Sequence, residues 1–437
     1  MRIQLSALAF TCFSLALAQT PAPDLLADLK GHAEMSLDDF TQLALKNNPT
    51  LGQAEAIVRQ SAGQARQAGL YPNPSIGYQG EEIRGGSYRG GKQGAFVEQT
   101  IVLGGKLALR RNVYEQQRQE DQIGVSEQRY RVLNDVSQTF YSALAAQEVV
   151  RVQGQLLSLA LDAVTTAHQL ANVGQADAPD VLQSEVESEQ AKVDYVTSQR
   201  SYIQMFHVLA AVAGRSDLPI SPLRGDLDHP PQVDAQQVVS QIIRDSPAVK
   251  RARQDILRSE AELKSAKREP VPDLQIHAGV QNNLEPLDVA PNQSVGIQAF
   301  VTAGISLPLF NRNQGNIAAA SADLTRAQAE VRRMELSLRQ DTQPLLQTYL
   351  SDQQQVERYR TEMIPRAERA YHLYLEKYKG MGAAYPQVLV SQRTLFQLRI
   401  GYIHAMESLW KGAISLQNYT LSSGLTAPVL TGSKRPQ

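Results

Sequence analysis

The chain has 437 residues, with 43 Lys and Arg against 44 Asp and Glu, a formal charge of −1. That balance lacks the basic excess that marks a nucleic-acid binder, so no nucleic acid is expected as a partner. Aromatics make up 6% of the residues and there is one Trp, whereas Ala, Leu, Gln and Arg recur throughout, which predicts long helices around modest cores.

Arg2 is followed by an apolar run from Leu5 to Ala18, closing on Ala16-Leu17-Ala18 before Gln19. A charged start, a short hydrophobic stretch and a small-x-small site read as a secretory signal over residues 1–18. The one cysteine, Cys12, lies inside it. Disulfides, thiol nucleophiles and cysteine metal sites are therefore not expected in the mature chain, and Thr11 and Ala9 argue against acylation at Cys12. Beyond the signal no run approaches the roughly 18–20 apolar residues of a spanning helix. Spanning strands remain open, because their signal is only weak alternation.

From residue 19 the chain states one plan twice. Ser36-Leu37-Asp38-Asp39 is a cap-like start to a helix ending near Asn48, and a second helix fills 50–70. Pro72 and Pro74 end it, since proline cannot continue a helix and forces the preceding residue into extended backbone. Apolar residues alternate through Ser75–Gln79 and again through Ala95–Ile101 around a polar, Gly-rich stretch, predicting a β-hairpin at about 75–101. From Lys106 to about Asn172 there is no proline, and Leu133, Val136, Phe140 and Leu144 keep helical spacing. Such a helix is close to 100 Å long at ~1.5 Å per residue. A break and a return helix, 178–214, complete a first repeat of 19–214, and a Pro- and Asp-rich linker follows at 215–234.

The second repeat, 235–422, echoes the first. Ser246-Pro247 opens a helix that ends on Glu269-Pro270-Val271-Pro272, with the same 23-residue Pro-to-Pro spacing as Pro49 to Pro72. Leu274, Ile276, Ala278 and Val280 alternate, a loop is expected at 282–293, and alternation resumes from Ile297 to Leu307, giving a second hairpin at about 273–309. A long helix over 313–379, with kinks or local breaks expected at Pro344 and Pro365, and a return helix over 385–422 make the second helical hairpin. Residues 423–437 read as a flexible tail. Pro179-Asp180-Val181-Leu182-Gln183-Ser184 at the first break is matched by Pro386-Gln387-Val388-Leu389-Val390-Ser391 at the second. Four strands leave two open edges, which lipid does not tolerate, so several chains must pool their strands if these cross a membrane.

The whole chain to about residue 422 resembles the TolC-type outer membrane efflux proteins. The resemblance is carried by the duplication, by Val173-Gly174 ahead of Asp180-Val181-Leu182-Gln183, and by Gly304-Ile305-Ser306-Leu307-Pro308-Leu309-Phe310-Asn311-Arg312-Asn313-Gln314-Gly315, whose first-half counterpart is Glu98 to Lys106. The Pro-Leu-Phe-Asn-Arg-Asn-Gln-Gly string is similar to the CzcC/CusC-like heavy-metal branch. The fold this implies is mainly α with a small β part: duplicated long helical hairpins forming an α-barrel, plus four strands per chain in a trimeric 12-stranded outer-membrane β-barrel. The implied function is the exit duct of a tripartite efflux system, passing small molecules or metal cations to the exterior. The implied partners are a periplasmic adaptor, an inner-membrane pump of the resistance-nodulation-division type, two further copies of the chain, and outer membrane lipid.

The resemblance also implies that adaptor docking falls on the periplasmic tips, at Gly174, Pro179, Asp180, Val181, Leu182 and Ser184, and at Gly380, Pro386, Gln387, Val388, Leu389 and Ser391. Gly174 and Gly380 read equally as helix C-caps, and the Val-Leu pairs as packing of the hairpins. Gln387 and Val390 stand where relatives with an acidic tip ring carry Asp. The turns at Gly104-Gly105, and at Pro308, Phe310 and Gly315, read as resets from strand to helix.

Other motifs carry less. Gly86 to Lys92 has the frame of a phosphate loop, but Gln93 replaces its Ser or Thr and no helix starts there. The histidines at 32, 168, 207, 229, 277, 372 and 404 lack ligand spacing, so no metal site, cofactor or catalytic set is expected. The alternative to a conduit is a non-conducting periplasmic coiled-coil scaffold or adaptor, favoured by the bulk of helix and disfavoured by the paired strands.

Overall fold

The computed structural model describes residues 31–85, 88–89, 91–174, 177–287, 290–380 and 385–428. The expected signal with Cys12, part of the Gly86–Lys92 frame and most of the tail lie outside these. A short strand β1 (Met35–Ser36) leads into α1 (Leu37–Asn47), fixed by a capping box in which Ser36 Oγ accepts from the Asp39 amide and the Asp39 carboxylate accepts from the Ser36 amide. Asn48 caps α2 (Pro49–Ala68), whose proline sits in the first turn, where the missing N–H costs nothing. Strands β2 (Ser75–Glu81), β3 (Arg84–Gly85), β4 (Tyr88–Arg89) and β5 (Lys92–Ile101) follow, then α3 (Lys106–Asn172), an unbroken helix of 67 residues, and α4 (Ala178–Val212). After β6 (Leu223–Arg224), the plan repeats as α5 (Val238–Asp245), α6 (Pro247–Arg268), β7 (Leu274–Leu287) and β8 (Ala290–Ile305). It ends in α7 (Gln314–Arg358), a π turn at Tyr359–Met363, α8 (Ile364–Lys379) and α9 (Tyr385–Gln417). Among the described residues no helix is long and apolar enough to cross a membrane.

The main sheet runs β2-β5-β7-β8, antiparallel throughout, with β2 and β8 as open edges. Below it the helices keep the same lateral order: α2-α3-α6-α7 beside the sheet and α4-α3-α9 with α8 farther away. Each repeat has its own core. Phe40, Phe140, Phe206 and Tyr202 fill the first, with Phe40 ring centroids 6.1 and 6.0 Å from Phe140 and Phe206; Ile242, Tyr349, Met406 and Leu409 fill the second. The repeats meet where Tyr141 stacks on Trp410, centroids 3.6 Å apart.

Three expectations need correction. The loop expected at 282–293 is mostly strand, because β7 extends to Leu287 and β8 starts at Ala290; Leu284 and Leu287 fall three apart around Pro286, where the register shifts, and this breaks the alternation. Of the kinks or local breaks expected at Pro344 and Pro365, Pro344 makes no break, since it lies inside the continuous α7, and the irregular turn falls at Tyr359–Met363, just ahead of Pro365. The tail expected from 423 is fastened at its start: Asp135 accepts from the Ser423 and Gly424 amides, and Thr50 Oγ1 and Gln128 Nε2 both donate to the Gly424 carbonyl at 2.8 Å. The segment 215–234 is likewise packed as a strap. β6 pairs in parallel with β1, Tyr202 Oη donates to the Ser221 carbonyl, and Trp410 Nε1 donates to the Leu227 carbonyl at 2.8 Å.

Candidate functional site

Strand register sorts the sheet into two faces. One carries the rows Ile76–Val97–Ala278–Val301 and Tyr78–Ala95–Val280–Ala299; Ile305 and Ile276 point the same way. These are the exposed apolar residues of the sheet: Ile76 is 79% exposed, Val301 75% and Ile297 81%. The other face carries Ser75–Glu98–His277–Thr302 and Gly77–Phe96–Gly279–Phe300. A Cβ on Gly77 would stand 2.5 Å from Phe96 Cζ, and one on Gly279 2.6 Å from Phe300 Cζ. Each ring is thus laid against the wall over a neighbouring glycine instead of standing into the space beyond. A sheet that is apolar on one exposed face and polar on the other suits lipid outside and water inside.

At the base of the sheet the two repeats are buttoned together. Gly104 and Gly105 take φ of +70° and +72°, and Gly105 caps α3. In the second repeat this left-handed position is held by Asn313, at φ +59°, while Gly315 sits inside the first turn of α7, so the reset assigned to Gly315 belongs to Asn313. Pro308 and Phe310 lie on the connecting segment, where Phe310 is 91% exposed beside Leu307 and Leu309. Sequence reading missed Lys106, a buried lysine paired at 2.7 Å with Asp273 and donating to the Val271 carbonyl. Asp273 also accepts from the Leu103 amide, and these partners hold its carboxyl below the ordinary value against the opposing effect of burial. Such partners are 167 residues apart in sequence, which leaves no local signal.

At the far end the repeated motif is used in two ways. Gly174 closes α3 at φ +74° with open space where a Cβ would be, beside a 67%-exposed Val173. Gly380 also caps its helix, but at φ −87°, a conformation open to any residue. Pro179 and Asp180 stand in the first turn of α4, where a carboxylate complements the helix dipole. Ser184 and Ser391 donate to the Val181 and Val388 carbonyls at 2.7 and 2.8 Å. Leu182 is 61% exposed and Val181 half-buried, whereas Val388 is 3% exposed and Leu389 half-buried. Pro386, Gln387 and Val390 line a mainly apolar groove with Ala367, Ala370 and Tyr374 of α8. Leu389 faces a second cleft between α3, α4 and α9, spanned by Arg393 Nε donating to Glu187 Oε1 at 3.2 Å. Burial pushes the Tyr385 hydroxyl in that cleft up to about 12, with Tyr378 and Glu187 adding to the effect, so it stays neutral at physiological pH.

Among the described residues no group of three or more His, Cys, Asp or Glu is placed to hold a metal ion. His168, His229 and His404 each lie beside a single carboxylate, at 3.0, 2.7 and 3.7 Å.

An open-edged sheet with an apolar outer face, continued by helical layers that are also open at both sides, has the form of one sector of a membrane conduit. The family model described as outer membrane efflux protein matches residues 40–215 and 238–420, and the chain belongs to that family. It is 26% identical over 387 residues to the cobalt-zinc-cadmium resistance protein CzcC of Cupriavidus metallidurans, covering 87% of this chain and 89% of that one. Its fold is that of CusC, with a TM-score of 0.72 at 15% identity over 90% of this chain and 93% of the other. The outer membrane channel MtrE of Neisseria gonorrhoeae, solved in its open state, superposes with a TM-score of 0.69 at 17% identity over 90% of each chain. The protein is an outer membrane efflux channel with a large periplasmic helical part.

Proposed function

We propose that three copies close into a 12-stranded barrel continued by a helical tube, and that this tube is the exit duct for divalent transition-metal cations in a tripartite system. The observation that carries closure is the lateral order, which leaves every layer open at both sides. The apolar residues exposed at those sides supply a seam: Val186 and Val193 on α4, and Leu336, Met363 and Leu373 on α7, the π turn and α8. Neighbouring copies would bury them against one another as coiled-coil contacts.

A periplasmic adaptor docks on the two tips, over Gly174, Pro179, Asp180, Val181 and Leu182 of the first repeat, and Gly380, Pro386, Gln387, Leu389 and Ser391 of the second; Ser184 and Val388, at 1% and 3% exposed, pack the tips from within and are not docking surface. Exposed Leu182 and the groove beside Pro386, Gln387 and Val390 offer apolar surface of the kind a partner helix covers. A resistance-nodulation-division pump supplies the energy and the selection, and the channel performs no chemistry of its own. The metal cargo is supported by the similarity to CzcC. The test is metal accumulation in cells from which the gene is deleted. Elevated cobalt, zinc or cadmium, restored to normal by the intact gene and not by a Gly174→Glu form that still assembles, supports both cargo and docking. Unchanged metal content in the deletion strain overturns the cargo reading.

A further inference from the structure

Beside the sheet, the two repeats meet along α3 and α6, and this contact is built largely from charge. Glu120 of α3 is 2% exposed. Its Oε1 lies 3.6 Å from Arg251 Nε and its Oε2 3.4 Å from Arg258 Nε, and Oε2 has no hydrogen-bond partner. The neighbouring donors are committed elsewhere. Arg258 Nε donates to Asp255 at 3.0 Å and its Nη1 to Glu262 at 3.5 Å, while Arg131 pairs with Glu127, which Arg251 also reaches at 3.6 Å. Asp121 accepts from the Ser61 hydroxyl of α2 and from Gln117.

The groups facing Glu120 are therefore Asp121, Glu127 and Arg131 from α3, and Arg251, Asp255, Arg258 and Glu262 from α6. Ser61 is the polar contribution of α2, and Arg326 of α7 stands at the margin, 4.0 Å from Asp255. Five carboxyls share three guanidiniums within the seam. A small cavity bounded by Asp121, Glu127, Arg131, Arg251 and Pro428 reaches it and offers water a route.

We propose that Glu120 makes this seam a proton-operated clasp between the two repeats: with its carboxyl neutral α3 and α6 close together, and with it ionised the seam carries one more buried negative charge in excess of its guanidiniums and loosens. Burial pushes the Glu120 carboxyl up to about 7; Arg258 and Arg251 oppose the shift, and Asp255 and Asp121 reinforce it. Because the folded value lies above the ordinary 4.5, the folded state holds a proton that the unfolded chain releases. The stability this contributes is complete at low pH and is lost as pH rises through the interval up to about 7. The clasp stands independently of cargo and adaptor.

The experiment is thermal unfolding of the assembled full-length protein in detergent at a series of pH values from 5 to 8.5. The wild type is expected to lose thermal resistance as pH rises. Glu120→Gln should lose most of that slope and exceed the wild type at pH 8, while Glu262→Gln keeps the slope. A Glu120→Gln protein that retains the wild-type slope overturns the proposal. Should that variant not assemble, infrared difference spectra of the wild type decide: a carbonyl band of a buried neutral carboxyl that disappears between pH 6 and 8 supports the clasp, and its absence overturns it.

Discussion

In the first repeat one helix, α3, runs 67 residues from the sheet to the far tip; in the second the same path is divided by a π turn into α7 and α8. Gly401 of α9 faces that turn so closely that a Cβ would stand 2.8 Å from Tyr359 Oη. The tips differ in parallel at matched positions: Leu182 is 61% exposed where its counterpart Leu389 is half-buried, and Val181 is half-buried where its counterpart Val388 is 3% exposed. Duplication preserved the core-forming plan and left the ends free to diverge, because the cores answer to packing within a repeat while the tips answer to what touches them.

The largest effect should come from cutting the cores. Phe206→Ala in the first repeat and Leu409→Ala in the second each remove a buried side chain and should cost about 2–5 kcal/mol. Denaturant resistance of the assembled protein measures both, and a negligible effect in one repeat would break the claim that each holds its own core. Next comes the tip comparison. Val388→Arg buries a charge and should destabilise α9 against its neighbours, lowering assembly yield. Leu182→Arg, at an exposed site, should leave assembly intact and abolish efflux. If Leu389→Arg, at the position matching Leu182, behaves as Leu182→Arg does in yield and transport, the tips are equivalent after all.

Gly401→Ala sharpens the contrast between continuous and divided helices. Crowding against Tyr359 should cost about 1–3 kcal/mol, read as faster amide exchange in residues 355–368 than in the matching stretch of α3. The smallest effect belongs to Arg393→Ala, which removes the link to Glu187 between the repeats near the tips. The pair is partly solvent-exposed, so a loss under about 1 kcal/mol is expected in global stability, with faster exchange confined to residues 183–191 and 388–396. A large global loss would show that the tips, and not the cores and strap, hold the repeats together.

Much of this architecture could be read from residues alone because it is periodic. Pro72, Pro74, Pro270 and Pro272 mark where helix must give way to extended chain, and the alternation of Ile76 and Tyr78, or of Leu274, Ile276, Ala278 and Val280, is the direct imprint of a sheet with unlike faces. Beyond Gln281, where Leu284 and Leu287 fall three apart around Pro286 and the register shifts, the imprint vanishes and the strand extension went unread. The strap at 215–234 was legible only as Pro- and Asp-rich sequence, since its hydrogen bonds to Gln147, Tyr202 and Trp410 depend on residues brought from distant positions. The Glu120 seam was invisible for the same reason: Arg251 and Arg258 come to Glu120 from the other repeat, with no local signal in the sequence. At the tips the repeated Pro-x-Val-Leu-x-Ser motif located the helix starts but could not reveal that its Val-Leu pair sits deeper in the second tip than in the first.

The most direct test of the conduit is the mass of the mature protein in detergent, followed by current recording after its insertion in a planar bilayer. A trimer giving discrete channel events is the predicted result. A monomer that neither inserts nor conducts would contradict it, leaving the apolar rows around Ile76 and Val301 without a partner.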